Sequence, residues 1–144
     1  MNYRFYGWET ADCVPVTAEY TGISDPRSLY DALSHIWCRY TCAPRLRESW
    51  SEENITLGQC SITAFLVQDI FGGKVYGILR PQGNYHCYNV IGNRVFDLTS
   101  EQFKARLPYD LSHEQFREDH FNKKEKYERY LLLKNRLEER LAKR

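Results

Sequence analysis

Gly58-Gln59-Cys60-Ser61-Ile62-Thr63-Ala64-Phe65-Leu66-Val67-Gln68-Asp69-Ile70-Phe71-Gly72-Gly73 is the stretch that decides the fold. Its apolar residues lie on most sides of a helical wheel, as in a helix buried at the centre of a domain. Gly72-Gly73 terminates it, and Cys60 falls in its first turn. Three short strand signals follow, over 75–79, 85–91 and 94–98, and Gly92-Asn93 forms a tight turn between the last two. The pattern predicts an α+β fold in which a central helix bearing Cys60 packs on a small antiparallel sheet.

Before this core, Asp25-Pro26 has the form of an N-cap followed by proline at the first helical position. Leu29, Leu33, Ile36, Trp37 and Tyr40 continue at helical spacing, which predicts a first helix over 26–41 stopped by Ala43-Pro44. Residues 43–57 are polar and read as an ordered loop carrying Trp50. Residues 1–24 read as an irregular or edge-strand lead-in. Beyond the strands, Thr99-Ser100-Glu101-Gln102 has the form of a capping box opening a short helix to about Leu107, closed by Pro108. A long helix is predicted from 122 to the end, with Tyr127, Tyr130, Leu133, Leu137 and Leu141 on one stripe. The expected organisation is one domain over 1–144: lead-in 1–24, catalytic-type core 25–107 and charged helical segment 108–144.

The chain has 144 residues and a formal net charge of +1. That length suffices for one buried core. The balanced charge supplies no field favouring nucleic acid, a membrane surface or an acidic partner. Residues 1–6 lack a basic-then-apolar leader, and no apolar run reaches the ~20 residues of a membrane helix. A cytoplasmic protein is expected. Its five cysteines (Cys13, Cys38, Cys42, Cys60 and Cys87) are then expected as free thiols.

Cys60 with His86 and Asp97 forms a candidate catalytic triad. A thiol of pKa about 8.5 is mostly protonated at neutral pH, and a helix N-terminus and a neighbouring imidazolium both lower that value. Cys60 has the first by position. His86 lies on the strand over 85–91. With a two-residue turn at Gly92-Asn93, Ile91 faces Arg94 and His86 falls opposite Thr99. Asp97 is then its diagonal neighbour on the same face, within side-chain reach. An imidazole oriented by a carboxylate is the partner a sulfur nucleophile requires. The bland alternatives are a buried packing cysteine, a surface histidine and an Asp97 that begins the following cap.

Other constellations carry less. His35, Cys38 and Cys42 fall on one face of the predicted first helix and, with Cys13, could hold zinc. The paired ligands of a zinc knuckle are absent, so no metal and no cofactor are expected. Cys87 adjoins His86 but points to the opposite sheet face, which favours packing over a resolving thiol. His113 and His120 lie in the charged segment and are expected in solvent. The last helix interleaves Lys and Arg with Glu as a salt-bridged surface with one packing stripe. A homodimer through the C-terminal helix is the partner considered, and RNA binding is not expected.

Trp50, Asn54, the Gly58-to-Ala64 run, Val67-Gln68-Asp69-Ile70-Phe71-Gly72-Gly73, His86-Cys87-Tyr88-Asn89 and Asp97-Leu98-Thr99-Ser100-Glu101-Gln102-Phe103 together resemble the YunG-like family of small bacterial proteins. Trp37 and Thr41 fit as well, and the resemblance covers about 27–140. It implies a papain-like or transglutaminase-like fold, as in arylamine acetyltransferases, where Cys, His and Asp or Asn occur in this order. It assigns no reaction. Asn54 lies six residues before Cys60, a separation similar to that of the oxyanion-hole glutamine in papain-like enzymes. Gln59 is its rival, with helix capping as the ordinary role.

The expectation is therefore a thiol hydrolase or acyltransferase acting through a thioester on a peptide, amide or acyl substrate. Cys60, His86 and Asp97 would do the chemistry, Asn54 or Gln59 would hold the oxyanion, and Trp50 and Tyr85 would contact substrate. The alternatives are a non-catalytic binding module on the same fold and a zinc-stabilised interaction protein.

Overall fold

A computed structural model describes residues 2–143. The helix expected from the Cys60 stretch is α2, Cys60–Phe71, closed by Gly72 in a positive-φ conformation. Every residue from Ser61 to Val67 is buried. The strands after it are β1 (Lys74–Leu79), β2 (Tyr85–Ile91) and β3 (Arg94–Phe96), with a two-residue β4 (Glu114–Gln115). They form an antiparallel sheet in the order β3-β2-β1-β4. The protein is α+β. Among the described residues no helix is long and apolar enough to cross a membrane.

The β2–β3 register pairs Ile91 with Arg94 and Asn89 with Phe96. Cys87 and Asn89 point toward α2, where Asn89 Nδ2 donates to the Ala64 carbonyl at 2.9 Å. His86 and Tyr88 point to the other face. There the chain after β3 forms an irregular strap rather than the helix expected over 99–107. Only Ser100–Gln102 makes a single 3-10 turn. The reason lies at Thr99: its N–H and hydroxyl both donate to Asp97 Oδ1, so the hydroxyl caps nothing. The strap lays Phe103, Leu107 and Tyr109 against the sheet around Tyr88 and Ile78. Apolar burial replaces helical hydrogen bonding.

Helix α1 spans Pro26–Leu33 and stops eight residues before its expected end. Its start has the predicted form, Asp25 accepting from the Ser28 N–H. Beyond it, tertiary donors claim the carbonyls a longer helix would use. Arg136 donates to Ile36 O, Gln59 to Cys38 O and Arg129 to Thr41 O. The loop expected over 43–57 contains a 3-10 turn at Pro44–Ser49.

Two helices close the chain: α3 (Arg117–Phe121), unforeseen, and α4 (Lys124–Ala142). Tyr130, Leu133 and Leu137 of the α4 stripe are buried in the core shared with α1 and α2, and Leu141 packs at its edge. Tyr127 stays exposed. The stripe is thus an intramolecular packing face.

The lead-in is irregular, as expected, yet it supplies Phe5, Ala11, Tyr20 and Ile23 to the core. Tyr6 forms an isolated bridge with Asp97, whose N–H donates to Tyr6 O at 3.0 Å. Gly7 makes this crossing fit. It sits at φ 81, and a Cβ there would lie 2.1 Å from Val95 O. Gly7→Ala is expected to destabilise the protein by about 2 kcal/mol or more, from left-handed strain plus the clash. A lowered urea midpoint checks this, and an unchanged one would mean the lead-in is not docked.

Candidate functional site

Helix α2 enters after a tightly wedged turn. Gly58, at φ 72, leaves no room for a side chain, because a Cβ would lie 2.5 Å from Cys42 Sγ. Gln59 follows, wholly buried. It does not cap α2. Its Nε2 donates to Cys38 O at 3.0 Å, while its Oε1 has no partner among the described residues. With no side-chain cap, the first-turn N–H groups of α2 stay available beside Cys60, a half-buried residue. That end of the helix favours negative charge.

The β2–β3 hairpin brings the other two groups together. His86 Nε2 lies 2.6 Å from Asp97 Oδ2, with the two side chains 2% and 1% exposed. Every lone-pair direction of Asp97 is used. Oδ1 accepts from Thr99, and Oδ2 accepts from His86 and, at 2.8 Å, from the Tyr109 hydroxyl. Tyr6 stacks on Tyr109 with centroids 3.9 Å apart, and Phe103 meets the imidazole edge-on. The carboxylate is thus fixed, and it fixes the ring. Since Asp97 takes Nε2, Nδ1 is the ring nitrogen left for Cys60, whose charge acts on the imidazole.

The charges follow from this arrangement. Burial opposes a charged imidazole, but the Asp97 carboxylate and the Cys60 sulfur outweigh it and push His86 up to about 10. Cys60 is held well below the ordinary thiol range. A hydrogen bond from Cys87 contributes most, burial opposes it, and the His86 charge adds to the lowering. Cys87 moves up, because it donates to the Cys60 sulfur and is buried. These directions favour a thiolate–imidazolium pair, with the Cys87 thiol on the side of the charged sulfur.

Cys87 therefore has two roles. It packs against Ala64, Phe65 and Val75 as expected, and its thiol also favours the Cys60 thiolate, which strand alternation does not reveal. Cys87→Ala is expected to slow Cys60 alkylation at pH 6 about threefold, the roughly tenfold worth of one hydrogen bond to a charged sulfur being partly offset by the greater nucleophilicity of a more basic thiolate, and not to slow it at pH 9. A pH profile with iodoacetamide reads this directly. An unmoved profile would reduce Cys87 to packing.

Tyr85 lines the cleft in front of Cys60, and its carbonyl lies 3.9 Å from the sulfur. Trp50, expected beside it, does not. It is 9% exposed and its Nε1 donates to Ile55 O, pinning the 50–55 turn away from the cleft. Asn54 pairs with Ser51 in that same turn and is not part of the cleft wall. Neither Asn54 nor the Gln59 side chain is presented to the sulfur, which leaves the α2 backbone as the nearest set of donors. Among the described residues no three His, Cys, Asp or Glu side chains converge as a metal site requires. His35, Cys38 and Cys42 diverge because α1 has already ended.

Three groups at the site had no readable signal. Tyr109 reaches Asp97 from the strap, and Lys126 and His120 come from the last two helices. His120 is not in solvent as expected but half-buried, with Nε2 2.9 Å from Gln115 Oε1 and Nδ1 2.9 Å from Lys126 Nζ. Burial and Lys126 pull it down to about 4, so it is neutral. His113 is exposed, near Tyr85.

Fold and site define an α+β protein with a cysteine at the start of its central helix and a buried His–Asp pair on an adjoining hairpin. The family model of the YunG protein matches residues 25–142, and the chain belongs to that family. It is similar to Uncharacterized protein YunG of Bacillus subtilis (strain 168), 39% identical over 77 residues, or 54% of this chain and 62% of that protein. The match thus spans less than two thirds of that relative's length. No solved structure matches.

Proposed function

We propose that the protein is a thiol hydrolase or acyltransferase of the papain-like and transglutaminase-like kind, working in the cytoplasm on a peptide, amide or acyl substrate without a cofactor. One observation carries the reading: an imidazole with Nε2 on a buried, fully satisfied carboxylate and its other nitrogen left for a sulfur at a helix start.

In this reading the Cys60 thiolate adds to the substrate carbonyl carbon. The developing oxyanion is met by the first-turn N–H groups of α2, an interaction whose loss typically costs about 10²–10³ in rate. The His86 imidazolium gives its Nδ1 proton to the leaving amine or alcohol as the carbon–heteroatom bond breaks, leaving a Cys60 thioester and a neutral ring. Water or an acceptor amine then attacks the thioester. His86 takes the proton of that nucleophile, and the thiolate departs with the imidazolium restored. Asp97 keeps the ring oriented throughout and stays ionised.

The test is an acyl adduct. Incubated with a small panel of activated esters and thioesters, the intact protein is expected to gain one acyl mass on Cys60. Cys60→Ala should gain none there. Equal acylation of both chains, or none at all across the panel, would remove the enzyme reading in favour of a binding module.

A further inference from the structure

The cleft at Cys60 has a volume of about 520 Å³. Arg45, Lys123, Lys126 and Arg129 line it against two acids, Asp119 and Glu125. Glu125 is committed to Arg129 by an ion pair, and Arg129 is further used on the Thr41 carbonyl. Arg45, Lys123 and Lys126 make no ion pair among the described residues. Lys126 stands out because it is held in place. Its Nζ donates to His120 Nδ1, and His120 in turn donates from Nε2 to Gln115 Oε1. A relay from β4 through α3 thus aims a half-buried ammonium on α4 at the same cleft as the sulfur. Holding a long, rotamer-rich side chain there costs entropy, yet no carboxylate of the chain occupies its free donor directions. Burial lowers its pKa.

We infer that Lys126 is a carboxylate-binding subsite, so that the acyl group delivered to Cys60 carries a carboxylate near its reacting carbonyl. This rests on Cys60 being the nucleophile. His120 and Gln115 are positioning residues, for they touch Lys126 and not the substrate. Arg45 and Lys123 at the cleft wall steer the same charge inward at longer range.

Two reagents of nearly equal size separate the terms: iodoacetate, which carries the carboxylate, and iodoacetamide, which does not. With a free thiol such as glutathione, iodoacetate is the slower of the two. With the full chain at pH 6.5 and low salt, the iodoacetate-to-iodoacetamide rate ratio at Cys60 is expected to exceed the glutathione ratio at least about fivefold, the scale of one partly exposed ammonium–carboxylate contact. Lys126→Met should lower the ratio about fivefold with the iodoacetamide rate within twofold, Lys126→Arg should retain it, and 0.3 M salt should shrink it only in part. Lys126→Arg guards against a folding defect in Lys126→Met, which a thermal melt of both would expose. A ratio unchanged by Lys126→Met in a folded protein overturns the subsite while Cys60 stays activated. If both reagents are as slow at Cys60 as at glutathione, the nucleophile falls and the subsite with it.

Discussion

Exchanging His86 for asparagine is expected to change the shape of the Cys60 alkylation profile as well as its height. In the parent chain the sulfur is already ionised in the thiolate–imidazolium pair, so its rate should be flat across neutral pH. Without the imidazolium the profile should climb with pH, because Cys87 is then the main group left to favour the thiolate against burial; an ordinary thiol of pKa about 8.5 sets the upper limit of the change. The size of the drop at pH 6 follows from two opposing factors. A thiol of pKa about 8.5 is only about 0.3% ionised there, which alone gives a change of about 300-fold. A less basic thiolate is also a weaker nucleophile, with a Brønsted coefficient of about 0.4–0.5, which takes back much of that gain over a shift of several units. The net expectation is about tenfold. Acyl transfer should suffer far more, by about 10²–10⁴, because the leaving group also loses its proton donor. Asparagine can still donate to Asp97, so a folding defect is not the expected cause. A parent profile that already climbs toward 8.5 would sink the pair, and with it the reading of the cleft as a reactive site.

The parts of this site that could be read from the chain are the parts built by local rules. An apolar run closed by Gly72-Gly73 can only be a central helix, and Cys60 is at its start whatever the tertiary structure does. The Gly92-Asn93 turn sets the hairpin register, and register alone puts Asp97 on the same face as His86. Both conclusions need nothing more than side-chain periodicity and one turn.

What could not be read was decided by groups distant in the chain. Helix α1 ends at Leu33 because Arg129 and Arg136, 88 and 100 residues from the carbonyls they take, claim Thr41 O and Ile36 O. Thr99 looks like a helix cap and would have been one had Asp97, two residues earlier, not taken its hydroxyl. Tyr109 and Tyr6 reach the site from a strap and an irregular lead-in, neither of which carries a periodic signal, and Lys126 lies off the apolar stripe by which the last helix was read. Trp50 misled for a related reason: a large aromatic in a polar loop reads as a contact surface, yet its indole N–H closes its own turn on Ile55.

The ion pair also dictates how stability depends on pH, and the sign differs for its two members. His86 is pushed up to about 10 from the ordinary value of about 6.5, so it favours the folded state fully below 6.5, and that contribution is lost as pH rises through 10. Cys60 is pulled down, so its contribution is fully present above about 8.5 and is lost as pH falls toward the folded value. Between 6.5 and 8.5 the folded pair holds one proton, on the imidazole, and the unfolded pair holds one, on the thiol. Stability due to the pair is therefore flat in that window. Below it the unfolded chain binds the extra proton and stability falls by about 1.4 kcal/mol per pH unit; above it the folded chain does, and stability falls at the same slope toward pH 10. Other carboxylates titrate on the acid side too, so the clean measurement is a difference between the parent and Cys60→Ser in urea unfolding from pH 5 to 10. Groups other than His86, whose own shift the Cys60 sulfur helps to raise, cancel to first order. The difference is expected to rise by about 1.4 kcal/mol per unit up to about 6.5, where His86 is charged in both chains, and to stop rising by about 8.5. A difference that does not vary with pH would mean that Cys60 is protonated in the folded protein, an ordinary buried thiol beside a histidine that serves only Asp97.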